Sequence, residues 1–322
     1  PQTTAYLRRA LEDLPCTLFS PDGRALCAWF DGGKERAVAF RADMDALPVQ
    51  EETGFSFASK TPGVSHACGH DMHTAMLLGT AKVLASMQKE LPGTVYFIFQ
   101  PGEEKSPGGA LPIIKSGVLK GVDAIFGAHV MPNEPAGSIG ILPAGAASSS
   151  SDGFFLTIQG KGSHGSMPQL GVDPIVTGSE IVMVLQTVVS RNATPGDMAV
   201  ITVGKFQSGN APNVIPDKAV LGASIRSVTP ETRKLLEERT RSVIDHVCKA
   251  NGAQYKLDYV LGYPSIQNNA ALRELAKKAA VEAVGEKNVF DSPRIPASED
   301  FSYYAQVAPT YFMTIGSGDG PA

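Results

Sequence analysis

The sequence predicts an α/β protein: a domain built on a mainly parallel sheet, with an inserted ferredoxin-like α+β domain. Three observations predict it. Short apolar runs alternate with helical periodicity through the first half of the chain. A small, polar stretch then interrupts that alternation, and a β-α-β-β-α-β order follows. After it, the first pattern resumes.

Taken in order, Arg36–Ala42 and Thr94–Gln100 are compact apolar runs of the kind buried in a sheet covered on both faces. Between them, Leu77, Leu78, Ala81, Leu84 and Ala85 recur at helical spacing, and Pro92-Gly93 ends the helix. Ala124–His129 supplies a further strand. Gly145–Gly153 (GAASSSSDG) is the crossing point into the second domain. There Phe154, Leu156 and Ile158 alternate with Phe155, Thr157 and Gln159 as in a strand. A helix over Asp173–Arg191 and strands near Ala199–Phe206 and Lys218–Arg226 come next. Thr229-Pro230 caps and opens another helix, which carries Leu236, Val243 and Val247 on one face. Tyr255, Leu257 and Tyr259 alternate in the last strand of the insertion. A helix over Asn269–Val284 and a strand over Thr310–Ile315 return to the first domain. The expected boundaries are 1–148 with 262–322 for the first, discontinuous domain and 149–261 for the inserted one. There are no internal repeats.

Composition excludes several classes. At 322 residues, 43% hydrophobic and 19% charged, the chain is an ordinary globular protein long enough for two domains. A net charge of −4 offers no basic field for nucleic acid or an anionic membrane. No apolar run approaches the roughly 20 residues that span a bilayer. Four scattered cysteines and the lack of a secretory signal point to the cytoplasm.

Three blocks carry chemistry at successive ends of the predicted strands. In HACGHDMHTA (His66–Ala75), Cys68 and His70 would diverge on a helix by about 200° but can converge from an extended loop. A thiolate and an imidazole together suit zinc or a related metal. The same spacing also fits a buried cysteine beside surface histidines. In QPGEEKSPGGA (Gln100–Ala110), Glu103 and Glu104 are adjacent carboxylates at the carboxyl edge of a sheet. They repel unless a cation lies near, and taken alone they also read as a solvated acidic turn. His129 ends its strand in GAHV. In the inserted domain, His164 sits in GKGSHGSMP, Asn213 in GNAPNVIP, and Arg226 at a strand end. These are candidates to polarise a carbonyl and to hold a carboxylate.

Together the blocks resemble the aminoacylase and carboxypeptidase family of two-metal peptidases. The resemblance is to its amidohydrolase branch, typified by hippurate hydrolase and indole-acetyl-amino-acid hydrolase. FRADMDALP (Phe40–Pro48), HACGHD, QPGEE, GAHV, GKGSHGSMP, NVIP and ASEDFSYY (Ala297–Tyr304) carry it in the family's order across nearly the whole chain. The resemblance implies two divalent metal ions (zinc, manganese, nickel or cobalt), with Cys68 shared between them and His70, Glu104 and His129 as further ligands. It implies Glu103 as general base and His164 as a lid histidine that reaches an active site across a homodimer. Asn213 and Arg226 match positions that bind the substrate's carbonyl and carboxylate. Asp43 and Asp45 stand behind the ligands in this branch. The family's site has one more histidine in a Pro-Leu-His-like segment. The sequence ends at Ile315–Ala322 where that segment is due, and the usual N-terminal helix with Arg and His is also missing. Both are expected to belong to the protein outside these 322 residues.

The expected reaction is hydrolysis of the amide bond of a small N-acyl amino acid, of hippurate or N-acetyl type. The alternatives are a dipeptidase or carbamoyl-amino-acid hydrolase of the same family, a thiol hydrolase using Cys68 and His70, and a catalytically decayed binding protein.

Overall fold

The computed structural model describes residues 2–33 and 36–318. The end of the Ile315–Ala322 block therefore lies outside the described residues. The chain divides into two compact units. Unit 1 comprises Pro1–Ala147, Ile266–Ile295 and Glu299–Ala322, and unit 2 comprises Ser148–Ser265 with Pro296–Ser298.

Unit 1 begins with α1 (Gln2–Glu12), β1 (Thr17–Phe19), β2 (Leu26–Phe30) and β3 (Ala37–Asp43). It continues with α2 (His70–Ser86), β4 (Thr94–Gln100), α3 (Ala110–Lys115), β5 (Ala124–Met131), β6 (Ile139–Ile141) and β7 (Gly145–Ala146). Unit 2 contains β8 (Asp152–Gln159), β9 (Ser163–His164), α4 (Pro174–Asn192), β10 (Ala199–Ser208), β11 (Val214–Ile215), β12 (Lys218–Ser227), α5 (Pro230–Ala250) and β13 (Gln254–Val260). The chain then returns to unit 1 through β14 (Gln267–Asn268), α6 (Ala270–Val284), β15 (Val289–Asp291), a 3-10 segment at Asp300–Gln306, and β16 (Thr310–Gly316).

The sheet of unit 1 has the order β1-β2-β4-β3-β5-β16-β6-β15. Its centre, β4-β3-β5-β16, is parallel throughout. These four strands are the apolar runs read from sequence. Both faces of this centre are covered, as a parallel sheet requires. Phe97 and Phe99 of β4 join Leu7, Leu11, Leu77 and Ala81 on one side, while Ile98 joins Ile113, Phe301 and Phe312 on the other. The structure adds edges that the sequence reading did not include. β1 and β2 are antiparallel additions on one flank, and β6 and β15 lie on the other. At three residues each, β1, β6 and β15 are too short to show a hydrophobic period, whereas β2 (LCAWF) is a short apolar run that the sequence reading did not assign.

Unit 2 is an antiparallel sheet of order β10-β12-β8-β13 in the chain order β-α-β-β-α-β. Phe154, Leu156, Ile158, Leu221 and Ile225 form its core with Ile181, Leu185, Leu236 and Ile244 of α4 and α5. Both helices start where side-chain capping predicts. Asp173 accepts from the amides of Ile175 and Val176, Thr229 accepts from that of Thr232, and a proline follows each cap.

Gly127 in β5 is required by close approach. A Cβ there would lie 2.7 Å from Phe301 Cε2 and 2.8 Å from Phe312 Cδ2. The Gly127→Ala variant is therefore expected to lose about 1–3 kcal/mol of stability through overpacking. Urea unfolding of the variant checks this, and an unchanged midpoint would count against so tight a packing of β5 on the two rings.

Candidate metal centre

Because β3, β4 and β5 are parallel, their carboxyl ends open at one edge of the sheet, where α/β folds place ligands. Each delivers a polar block there. Arg41 and Asp43 end β3, Gln100 ends β4 just before Glu103 and Glu104, and His129 lies near the end of β5. Helix α2 begins at the same edge with His70.

The Cys68–His70 question is decided by Gly69. Cys68 stands in the turn ahead of α2, and Gly69 between them has φ 81°, a left-handed conformation that glycine adopts without strain. Its bare Cα also leaves room for the Val130 side chain, which a Cβ would overlap. With the chain turned this way, Cys68 Sγ lies 3.4 Å from His129 Nε2. His70 is buried, with Nδ1 3.5 Å from Asp45 Oδ1 and Nε2 3.7 and 3.8 Å from Asp43 Oδ2 and Glu104 Oε1. The Asp45 carboxylate accepts the amides of Glu103 and Glu104, each at 3.1 Å, which shapes the turn after β4. The structure thus brings Cys68, His70, Glu103, Glu104 and His129 together. Cys68/His70/His129 and His70/Glu103/Glu104 each offer ligand atoms within 4.8 Å of one another.

The donor set fits metal ions. Sulfur and imidazole nitrogen bound tetrahedrally to one zinc stand about 3.5 Å apart, given bond lengths of ~2.3 and ~2.0 Å. The Cys68–His129 distance of 3.4 Å is close to that. Both ring nitrogens of His70 are buried without a hydrogen bond, an arrangement a cation would satisfy. Charge points the same way. Burial first, then the negative charge of Glu299, pushes the Glu103 carboxyl well above its ordinary range. Burial opposes charge on His70, but Asp45, Cys68 and Asp43 outweigh it and raise its pKa to about 11. The hydrogen bond with His129, and the nearby His70 imidazole, hold the Cys68 thiol below its usual value. A bound cation would relieve this crowding of acidic groups.

Beneath the centre lies a network of which the sequence reading assigned only Asp43. The Arg41 guanidinium is buried and contacts Asp43, Glu299 and Asp300 at 2.8, 3.0 and 2.7 Å. Gln100 accepts from Arg41 Nε and from Tyr304 Oη and donates to Asp300. His73 joins through Asp43. The sequence held one signal: Arg41 is a charge inside the otherwise apolar run Ala37–Ala42, a placement that demands buried partners.

His164, Asn213 and Arg226 belong to unit 2. His164 in β9 pairs with Val214 in β11, and Gly165 donates to the Asn213 carbonyl at 2.8 Å, so these two are neighbours. They lie beyond the Lys218 end of β12. Arg226 is near the other end, where its guanidinium donates to the carbonyls of Ile225 and Asp152 at 3.1 and 3.5 Å.

The sequence profile of peptidase family M20/M25/M40 matches residues 39–322. The chain belongs to this family. It is 41% identical to N-acetylcysteine deacetylase of Bacillus subtilis, over 98% of this chain and 83% of that protein. It is also 41% identical to IAA-amino acid hydrolase ILR1-like 5 of Arabidopsis thaliana, over 87% of this chain and 65% of that protein. Among solved structures it resembles the YXEP protein of Bacillus subtilis, described as a dinuclear metal-binding peptidase of the M20 family. That match has a TM-score of 0.84 at 35% identity and covers 100% of this chain and 84% of that one. Among the described residues, no helix is long and apolar enough to cross a membrane.

Removing the Arg41 charge strands three buried carboxylates. Arg41→Met is expected to cost about 3–5 kcal/mol, the range for breaking a buried ion pair from one side. Chemical denaturation measures it, and a loss below about 1 kcal/mol would mean that the network is not held by charge.

Proposed function

We propose that this M20 protein hydrolyses the amide bond of small N-acyl amino acids, using two divalent metal ions held by Cys68, His70, Glu104 and His129. The observation that carries this reading is the convergence of one thiol, two imidazoles and two carboxylates at one sheet edge. The relatives support it, since N-acetylcysteine deacetylase and IAA-amino acid hydrolase are named for the cleavage of such amides. The mixture of thiolate, imidazole and carboxylate suits zinc, manganese, nickel or cobalt. Cys68 has to remain reduced to serve as a ligand, which favours the cytoplasm.

When bound, the metal pair supplies Lewis acidity and brings the pKa of a coordinated water toward ~7. Glu103 would act as the base, taking a proton from the attacking water and later handing it to the departing nitrogen. Its position suits this role: the side chain is buried and the turn is pinned through its amide to Asp45. His164 and Asn213 polarise the substrate carbonyl, and Arg226 holds its carboxylate.

Residues 1–148 and 262–322 form the catalytic part in this reading, and 149–261 the lid that also joins a homodimer. The layout of unit 2 favours the dimer. His164 and Asn213 are separated from Arg226 by eight residues of strand, about 27 Å, too far for one copy of unit 2 to apply all three to one small substrate. The edge strand β10 is ten residues long with a single charge, Lys205, and natural proteins cover such edges. Beside it, α4 exposes Ile175, Val176 and Met183.

Glu103→Gln is expected to abolish turnover of N-acetyl amino acids while leaving the metal content unchanged. Loss of metal in that variant, measured by elemental analysis, would reassign Glu103 from base to ligand. A mixing experiment tests the dimer. Glu103→Gln and His164→Ala chains are each inactive alone, but a shared site regains one intact centre in every mixed dimer. About a quarter of wild-type activity should return on co-refolding. No recovery would mean that His164 serves its own chain or none.

A further inference from the structure

His73 has no role in the proposed chemistry, yet it is buried and both its ring nitrogens are used. Nδ1 lies 2.5 Å from Asp43 Oδ1, and Nε2 lies 2.9 Å from the Val130 amide nitrogen. The Val130 amide can only donate, so Nε2 carries the lone pair and the proton sits on Nδ1, facing the Asp43 carboxylate. The other end of the same residue makes a second contact. His129 Nδ1 lies 2.7 Å from the Val130 carbonyl oxygen. That oxygen can only accept, so His129 carries its proton on Nδ1. Its Nε2 lone pair is then free, and it is the atom 3.4 Å from Cys68 Sγ.

One residue therefore fixes two histidines, and its own placement depends on His73. The pairing of β3 with β5 runs from Val38↔Ala124 to Arg41↔Gly127 and goes no further. Beyond it, the Val130 amide has no strand partner on the β3 side and takes His73 Nε2 instead. The His73 ring is held in turn by Asp43, which Arg41 anchors at 2.8 Å. It also stands edge-on to His129, with ring centroids 4.7 Å apart and planes at 72°.

We propose that His73 is a positioning residue that holds Val130 so that His129 keeps its proton on Nδ1 and presents Nε2 to the metal centre. The inference rests on the metal reading given above. Partners behind metal-ligating histidines typically change affinity by 10- to 100-fold when removed.

Two substitutions separate the atoms involved. His73→Asn keeps a donor near Asp43 but cannot reach Val130, whereas His73→Gln places an acceptor near the lost Nε2. The readouts are zinc affinity, by competition with a chelator, and the tautomer of His129. The tautomer is read in the metal-free protein from long-range nitrogen–proton spectra of its six histidines, with His129→Gln for assignment. The Asn variant is expected to lose about 10- to 100-fold in zinc affinity and to show a mixed His129 tautomer, and the Gln variant to stay within about threefold of wild type. A pure Nδ1-protonated His129 in the Asn variant overturns the inference. So does a tenfold loss of affinity in the Gln variant, which also carries the test if the Asn variant does not fold. Wild-type protein that binds no zinc, manganese, nickel or cobalt sinks the metal reading and this inference with it; the tautomer result, taken without metal, overturns the inference alone.

Discussion

A guanidinium buried under the carboxyl edge of the parallel sheet organises unit 1. Moving an isolated ion of this size into a low-dielectric interior costs several kcal/mol even after relaxation. Arg41 is tolerable there only because Asp43, Glu299 and Asp300 lie within 3.0 Å of it. Those partners come from β3 itself and from a segment more than 250 residues later in the chain. The same contact therefore joins the sheet to the returning chain and sets the floor on which the site is built. Gln100 accepts from Arg41 and Tyr304 and donates to Asp300, which ties β4 into the same network.

The floor has consequences for the residues above it. Burial by itself would push the Asp43 carboxyl upward, but Arg41 and the hydrogen bond with His73 outweigh it and hold it well below the usual carboxylate range. An ionised Asp43 can then accept from His73. Asp45, two residues on, accepts two consecutive amides and so dictates how Glu103 and Glu104 leave β4. The two aspartates of one short block thus shape both the histidine side and the glutamate side of the centre. Neither has to touch a metal ion to do so.

The parallel centre of the sheet was legible because its strands are buried on both faces and read as unbroken apolar runs. Edge strands such as Thr17–Phe19 and Ile139–Ile141 lack both length and period, and their pairing is settled by what lies beside them. Similarly, Cys68, His70, Glu103, Glu104 and His129 stood out as residue types suited to one chemistry. Arg41, His73 and Asp300 did not, because a buried ion pair spanning the chain leaves no local trace.

Fold class, the central strands and helices, and the family were readable from the sequence alone, since these follow from periodicity and from short motifs in fixed order. Tertiary structure decided which donors meet. Cys68 and His70 converge because Gly69 takes a left-handed turn against Val130. His164 and Arg226 lie toward opposite ends of one strand because antiparallel pairing sends the two motifs to different ends of the sheet. Hydrogen-bond direction and charge compensation are properties of neighbours in space, and the neighbours here come from residues far apart along the chain.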